Sequence, residues 1–205
     1  MNYQQFRSQF SANILVSKRD ILTNFPSFDT KRLSYWQHKK YLQRIINNNY
    51  LFSDSDIDEQ VLMMIANRIY DHSYISMEMA LGYYGLIPEM VYQITSCSTR
   101  KTNTYQTAIA SFRYQKINNK LFFGYVLKYF GKHSFLIASP EKAILDYLYL
   151  RSNLNTISDI AALRINTEIY PETINNETME NYLKLINCNA LNHRVDLLRE
   201  VINNA

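Results

Sequence analysis

Residues 17–40 read SKRDILTNFPSFDTKRLSYWQHKK. Ser17 followed three residues later by Asp20, just ahead of the apolar pair Ile21 and Leu22, has the form of a capping box and predicts the start of a short helix. Pro26 ends it, since proline has no amide hydrogen with which to continue the ladder. Asp29 then supplies the N-cap of a second helix running through Lys39. On that helix Leu33, Trp36 and the stem of Lys40 share one stripe, while Lys31, Ser34, Tyr35 and His38 recur at three- and four-residue spacing on another. One stripe is placed to pack and the other to read.

Residues 41–46 are rich in aromatic and β-branched side chains, Asn47, Asn48 and Asn49 predict a turn, and Tyr50, Leu51 and Phe52 predict a returning strand. Two helices followed by a hairpin, in this order, predict a winged helix-turn-helix over residues 1–55. Charge points the same way. Residues 1–50 hold eight bases (Arg7, Lys18, Arg19, Lys31, Arg32, Lys39, Lys40, Arg44) against two acids (Asp20, Asp29), a surplus of six in a chain whose total is +4. A basic segment on a near-neutral body is the footprint of a part that meets a polyanion. A charged helical face can also be merely solvated, but a basic helix pair, an aromatic anchor and a polar-tipped hairpin in sequence favour double-stranded DNA as partner. Lys31, Ser34, Tyr35 and His38 are the candidate base readers in the major groove. Lys18, Arg19, Arg32 and Lys39 are placed to neutralise phosphates, and Asn48 joins the DNA-binding set from the hairpin tip.

The remaining residues, 56–205, predict a mixed α+β domain with a helical C-terminal tail, so the fold class is α+β. Asp56 and Asp58 precede a linking helix with the stripe Val61, Leu62, Ile65, Ala66 and Ile69. Ser76 is expected to cap a helix over 77–85, and strands are expected at 91–95, 111–117, 121–130 and 134–137. Ser139, Pro140 and Glu141 open another helix with Ile144, Tyr147 and Leu148 on its apolar face. The tail reads as an antiparallel helical hairpin turning at 187–189, with Met179, Tyr182, Leu183 and Ile186 on one stripe and Leu191, Val195, Leu198 and Ile202 on the other.

Residues 74–81 (YISMEMAL) lead to 84–89 (YGLIPE), then 91–96 (VYQITS) and 98–102 (STRKT). Phe112-Arg113-Tyr114, residues 122–125 (FFGY) and 138–146 (ASPEKAILD) follow. In this order the stretches resemble the AbiEi-like antitoxin family of type IV, abortive-infection toxin–antitoxin systems. The similarity covers about residues 13–150. The family usually has glycine after the reading helix and at the hairpin turn, where this chain has Lys40 and Asn48. Asparagine tolerates positive φ, whereas Lys40 leaves the bend before the first wing strand open. The resemblance implies a phage-defence antitoxin that represses its own operon at promoter repeats and neutralises a cognate nucleotidyltransferase-like toxin. It also associates the second domain with antitoxicity, so Arg100, Lys101 and Arg113, with Lys116 and Lys120 nearby, are candidates for antitoxicity or for a second anionic surface.

Other chemistries find little support. Asp54, Asp56 and Asp58 alternate like metal-binding carboxylates, but no Gly-Ser phosphate turn precedes them, so they are read as helix-capping acids. His38, His72, His133 and His193 lack metal-motif spacing, and no nucleophile elbow, phosphate loop or dinucleotide turn is present. No enzyme activity, cofactor or metal is expected. Cys97 and Cys188 are read as free thiols. No apolar run is long enough to span a membrane and residues 1–10 are too polar for a secretion signal, so a cytoplasmic location is expected. Two alternatives stay open: a protein-interaction module that masks a toxin directly, and a free-standing transcriptional regulator. A monomer on tandem repeats and a dimer on a palindrome also both stay open.

Overall fold

The computed structural model describes residues 1–46, 48–88 and 93–204. It begins with a helix that the sequence reading lacks, α1 (Tyr3–Gln9), closed by a capping box between Asn2 and Gln5. The short strand β1 (Leu15–Ser17), also unexpected, leads into α2 (Lys18–Asn24) and α3 (Lys31–His38). Ser17 and Asp20 do form the capping box of α2, each side chain bonding the other's backbone N–H at 3.0 Å. At α3 the expected cap is shifted by one residue. Thr30 is the N-cap and makes no side-chain bond, while Asp29 Oδ1 accepts from the Lys31 N–H at 3.0 Å.

The end of α3 explains Lys40. The Tyr41 N–H reaches back to the Trp36 carbonyl and the Lys40 N–H to that of Gln37, both at 2.9 Å, which is the Schellman closure. That closure needs a left-handed residue, and Lys40 adopts φ 58. Beyond it, β2 (Leu42–Arg44) and β3 (Asn49–Phe52) form a shorter hairpin than expected, with Asn49 in the strand rather than the turn. Asn48 bends the turn at φ 61, and Asn47 lies outside the described residues.

The sheet order is β1-β3-β2, all antiparallel. Alternation along the central β3 gives this small sheet two buried faces. Tyr50 and Phe52, with Val16 and Leu42 beside them, face the helices and join a core of Phe6, Phe10, Ile21, Leu33 and Trp36. The Phe6 ring lies 4.7 Å from Trp36 and 5.8 Å from Phe52, centroid to centroid. Leu15 and Leu51 point the other way and belong to the main core, with Ile45 and Ile46 of the hairpin packed against it. The N-terminal unit is therefore held to the body by its own sheet.

The body starts with α4 (Glu59–Ile69), capped by Asp58, whose Oδ1 accepts from the Val61 N–H. There follow β4 (Ser73–Ile75), α5 (Met77–Tyr83), β5 (Gln93–Ser98), β6 (Asn103–Gln106), β7 (Ser111–Lys116), β8 (Tyr125–Phe130) and β9 (His133–Ala138). The strands β4 and β6 were not expected. The strand foreseen at 121–130 begins only at Tyr125, Leu121 ending a 3-10 turn (Asn119–Leu121), and of the strand foreseen at 91–95 residues 91 and 92 lie outside the described part. The second sheet runs β6-β7-β5-β4-β9-β8, with β5–β7 and β4–β9 parallel and the other pairs antiparallel. Tyr114 reaches α4 on one face, its hydroxyl donating to the Ala66 carbonyl at 2.7 Å. Tyr74 and Thr95 point to the opposite face, where α5 and α6 (Pro140–Leu150) lie.

Four further helices, α7 (Ile157–Ala161), α8 (Tyr170–Thr173), α9 (Asn176–Ile186) and α10 (Asn189–Asn203), are part of the main core rather than an appended tail. The link between α9 and α10 turns at Asn187, left-handed at φ 47, but both helices pack mainly on α6 and α7. Buried Arg194 of α10 donates to the carbonyls of Leu148, Ser152 and Leu154, each at 3.1 Å, satisfying the end of α6. Among the described residues, no helix is long and apolar enough to cross a membrane.

Relief of the left-handed lysine gives a direct check on the α3 closure. Lys40→Gly is expected to raise unfolding stability by about 0.5–1 kcal/mol, the relieved strain exceeding the added chain entropy of glycine. The measurement is the urea midpoint at unchanged slope; a lowered midpoint would contradict this geometry.

Candidate nucleic-acid interface

The faces of α3 separate cleanly. Leu33 and Trp36 are buried, while Lys31, Arg32, Ser34, Tyr35, His38 and Lys39 are all exposed, Tyr35 by 58%. Tyr35 carries the Lys39 ammonium 5.8 Å from its ring centroid, a cation–π arrangement that holds an aromatic and a charge side by side. Behind α3, the Tyr3 ring stacks on Tyr41 at 4.4 Å and meets Trp36 edge-on at 5.5 Å. These contacts fix the helix from its buried side and leave the outer side free.

The other predicted contacts surround it to different degrees. Arg19 is exposed at the start of α2, and Lys18 is half-buried, its backbone N–H donating to the Asn48 carbonyl at 2.8 Å. That bond ties the hairpin turn to the head of α2. Arg32 donates to the Met1 carbonyl at 2.7 Å, which orients it without neutralising it. Asn48 is exposed, and its Oδ1 accepts from Arg44 at 3.5 Å. Arg44 and Lys40, both exposed, extend the basic surface beyond the residues singled out from sequence. Alternation along β2 would set Arg44 on the face of buried Leu42, so only its place at the strand's end, beyond the core, leaves it exposed.

Asp20 and Asp29, the two acids of residues 1–50, both accept from backbone N–H groups at helix N-termini. Among the described residues, the basic side chains of this unit form one ion pair with a carboxylate, Arg7 with Asp54 at 3.1 Å. Among the described residues, Lys18, Arg19, Lys31, Arg32, Lys39, Lys40 and Arg44 form no ion pair with a carboxylate. Such a surface stores repulsion that a polyanion relieves.

The second basic set is less concentrated. Arg100 and Lys101 are exposed in the loop after β5, with the Arg100 guanidinium 5.8 Å from the Tyr70 ring and the Tyr70 hydroxyl donating to the Lys101 carbonyl at 2.6 Å. Lys116 is anchored beside that loop, its N–H donating to Thr102 Oγ1 at 3.1 Å. Arg113 is half-buried in mid-strand between Thr95 and Thr104, roughly 10 Å back along β7 from Lys116 and on the opposite face. The fold thus brings Arg100, Lys101 and Lys116 together and leaves Arg113 apart.

A polar cluster that the sequence reading missed lies beneath the second sheet. Lys142, with no exposed surface, donates to Asp146 on the next turn of α6 and to the Tyr74 hydroxyl at 2.8 Å. Tyr74 and Ser76 each donate to Asp146 Oδ2 at 2.8 Å. Ser76 occupies the N-cap position of α5, but its hydroxyl is committed to Asp146 and makes no cap bond, which corrects the expected capping role. Met77 at once turns left-handed, φ 57, to start α5. The Lys142 ammonium sits 5.3 Å from the ring centroids of both Tyr74 and Phe123. Gly124, at φ 71, leaves room for this lysine: a Cβ there would lie 3.1 Å from its Cγ. Burial and the Asp146 carboxylate push the Tyr74 hydroxyl up. Burial also pushes the Cys97 thiol well above its ordinary value, with Asp146 raising it further and Lys142 in part opposing.

The sequence signal for this cluster was a lysine and an aspartate at i, i+4 inside an apolar helix, flanked by Ala143, Ile144 and Leu145. Among the described residues, no three His, Cys, Asp or Glu side chains gather as a metal-binding group. An open groove of about 480 Å³ between α8, α9 and α10 holds Arg199, which is already paired with Glu180 and Asp196. Neither family models nor curated proteins give a match to the chain.

Removing one partner of the buried pair strands the other charge. Lys142→Met and Asp146→Leu are each expected to lose about 3–5 kcal/mol of unfolding free energy. The double replacement should recover part of that, because only the neutral Tyr74 and Ser76 hydroxyls are then left unpaired. Additive losses in chemical denaturation would show that the two side chains do not act as a pair.

Proposed function

We propose that residues 1–55 act as a winged helix-turn-helix that binds double-stranded promoter DNA, and that the chain is an antitoxin-type autorepressor. The observation that carries the DNA half is the exposed face of α3, framed by bases that, among the described residues, form no ion pair with a carboxylate. In this reading Lys31, Ser34, Tyr35 and His38 address base edges, and Lys18, Arg19, Arg32 and Lys39 hold phosphates, with Asn48 at the hairpin tip. α1 buttresses α3 through Phe6, and the short turn between β2 and β3 serves as the wing.

The antitoxin half rests on the motif resemblance across residues 74–146. It assigns to the body the neutralisation of a nucleotidyltransferase-like toxin, with Arg100 and Lys101 as the accessible part of the surface involved. No catalytic role is assigned to the chain, and its place of action is the cytoplasm.

Titrating the protein against the DNA upstream of its own gene tests the reading. Binding should be repeat-specific and should weaken steeply with salt. Lys31→Ala is expected to lose about 1–3 kcal/mol and relax sequence preference, whereas Arg19→Ala should weaken all sequences alike and reduce the salt slope by about one. Binding that is indifferent to salt and to both substitutions would sink the DNA half. Co-expression with the candidate toxin tests the other half: rescue that survives Lys31→Glu with Arg32→Glu separates neutralisation from DNA binding, and absence of rescue by the unmodified chain removes the antitoxin role.

A further inference from the structure

The second sheet ends unequally. Its β6 edge offers Asn103, Thr104 and Gln106, with Tyr105 half-buried. Its β8 edge reads YVLKYF and exposes Val126 by 42%, Leu127 by 46% and Tyr129 by 75%. An exposed apolar edge strand with no proline and a single charge is a template for another strand. The side chains alternate, so Tyr125, Leu127 and Tyr129 form one stripe, and Val126, Lys128 and Phe130 lie on the other face.

Backbone direction identifies what this edge can accept. β8 and β9 are joined by a two-residue turn at Gly131 and Lys132, with Gly131 at φ 52 and Phe130 facing His133. Such a turn closes on a hydrogen-bonded pair, so residues 130, 128 and 126 direct their N–H and C=O groups to β9. Residues 125, 127 and 129 direct theirs outward. These are the same residues that make the apolar stripe.

We propose that β8 pairs antiparallel with β8 of a second copy of this chain about a two-fold axis at Leu127, forming one continuous sheet. In that register Leu127 faces Leu127 of the other copy and Tyr125 faces Tyr129, so all three outward residues of each strand pair through their backbones. Lys128 then lies opposite Val126, which its aliphatic stem can cover. Sliding the register by one residue per strand in either direction keeps the faces matched but pairs fewer outward groups, and the slide toward Phe130 also sets Lys128 directly against itself, which like charges oppose. Backbone direction therefore selects the register centred on Leu127, and charge is compatible with it. The occupant is a second copy because the strand is complementary to itself: its stripe is palindromic in character about Leu127.

Light scattering and position-specific crosslinking test this in the full chain. The unmodified protein should be dimeric, with a melting transition that rises with protein concentration, and Leu127→Lys monomeric, still cooperatively folded because Leu127 is already half exposed, with a transition independent of concentration. In a Cys188→Ser background, Leu127→Cys should oxidise to a covalent dimer, since hydrogen-bonded partners in antiparallel strands lie about 5.5 Å apart at Cα, within disulfide reach. Tyr129→Cys, opposite Tyr125, should crosslink far more slowly. Buried Cys97 does not compete. A monomer at all concentrations, a dimer that Leu127→Lys leaves intact, or equal crosslinking at 127 and 129 would each overturn the proposal. None of these outcomes depends on whether the protein binds DNA.

Discussion

The body of this protein is organised around one buried ion pair. Lys142 and Asp146 lie on consecutive turns of α6 with essentially no exposed surface. A charge in such a place is tolerated only if its remaining hydrogen-bonding capacity is filled. Tyr74 and Ser76 donate to Asp146, and the same tyrosine hydroxyl accepts a hydrogen bond from Lys142, the second for that ammonium after the one to Asp146. Satisfying this pair fixes where β4 ends, how α5 begins and how closely the segment at Gly124 must approach α6. An apolar contact would tolerate a sliding of these elements; a network of directed bonds does not.

The motifs that resemble the antitoxin family take on a different meaning in this light. Tyr74 and Ser76 come from the first, Phe123 and Gly124 from a middle one, and Lys142 and Asp146 from the last. These stretches, far apart along the chain, meet at a single buried point. They are thus explained by the architecture of the sheet and its helices, and they speak about fold more directly than about what the surface binds. The surface residues Arg100 and Lys101 stand on the rim of that architecture, away from the network.

The N-terminal unit follows another logic. Its sheet is buried on both sides, one face closing a small aromatic core around Phe6 and Trp36, the other joined to the main core through Leu15 and Leu51. Helix α3 is consequently fixed relative to the body. Repulsion among the bases is tolerated because they point outward from a core that is wholly apolar. The separation of apolar stability from surface charge lets α3 present six polar side chains without weakening its own packing.

Local chemistry was legible wherever it was decided by neighbours in the chain. The capping box at Ser17 and Asp20, the stop at Pro26, the opening of α6 at Ser139 and Pro140, and the two stripes of α3 could all be read directly, because each depends on contacts within four residues. The strands β1, β4 and β6 could not: they are three or four residues long, and only a partner strand makes them strands. The helix α1 escaped for a similar reason, since Phe6 acquires its meaning from Trp36 and Phe52. The bases and their surplus were present in the sequence, but that among the described residues only Arg7 of this unit pairs with a carboxylate, Asp54, required the fold to be seen. Amino-acid order thus determined α2 and α3, the charge asymmetry and the polar stripe of α3, all of which arise from local periodicity and composition. Tertiary structure alone decided that Lys142 and Asp146 meet Tyr74, that Arg113 stands apart from Arg100, and that Leu15 and Leu51 bind the two units together. Each of those outcomes depends on which distant strands pair and in what register, and no local pattern encodes that choice.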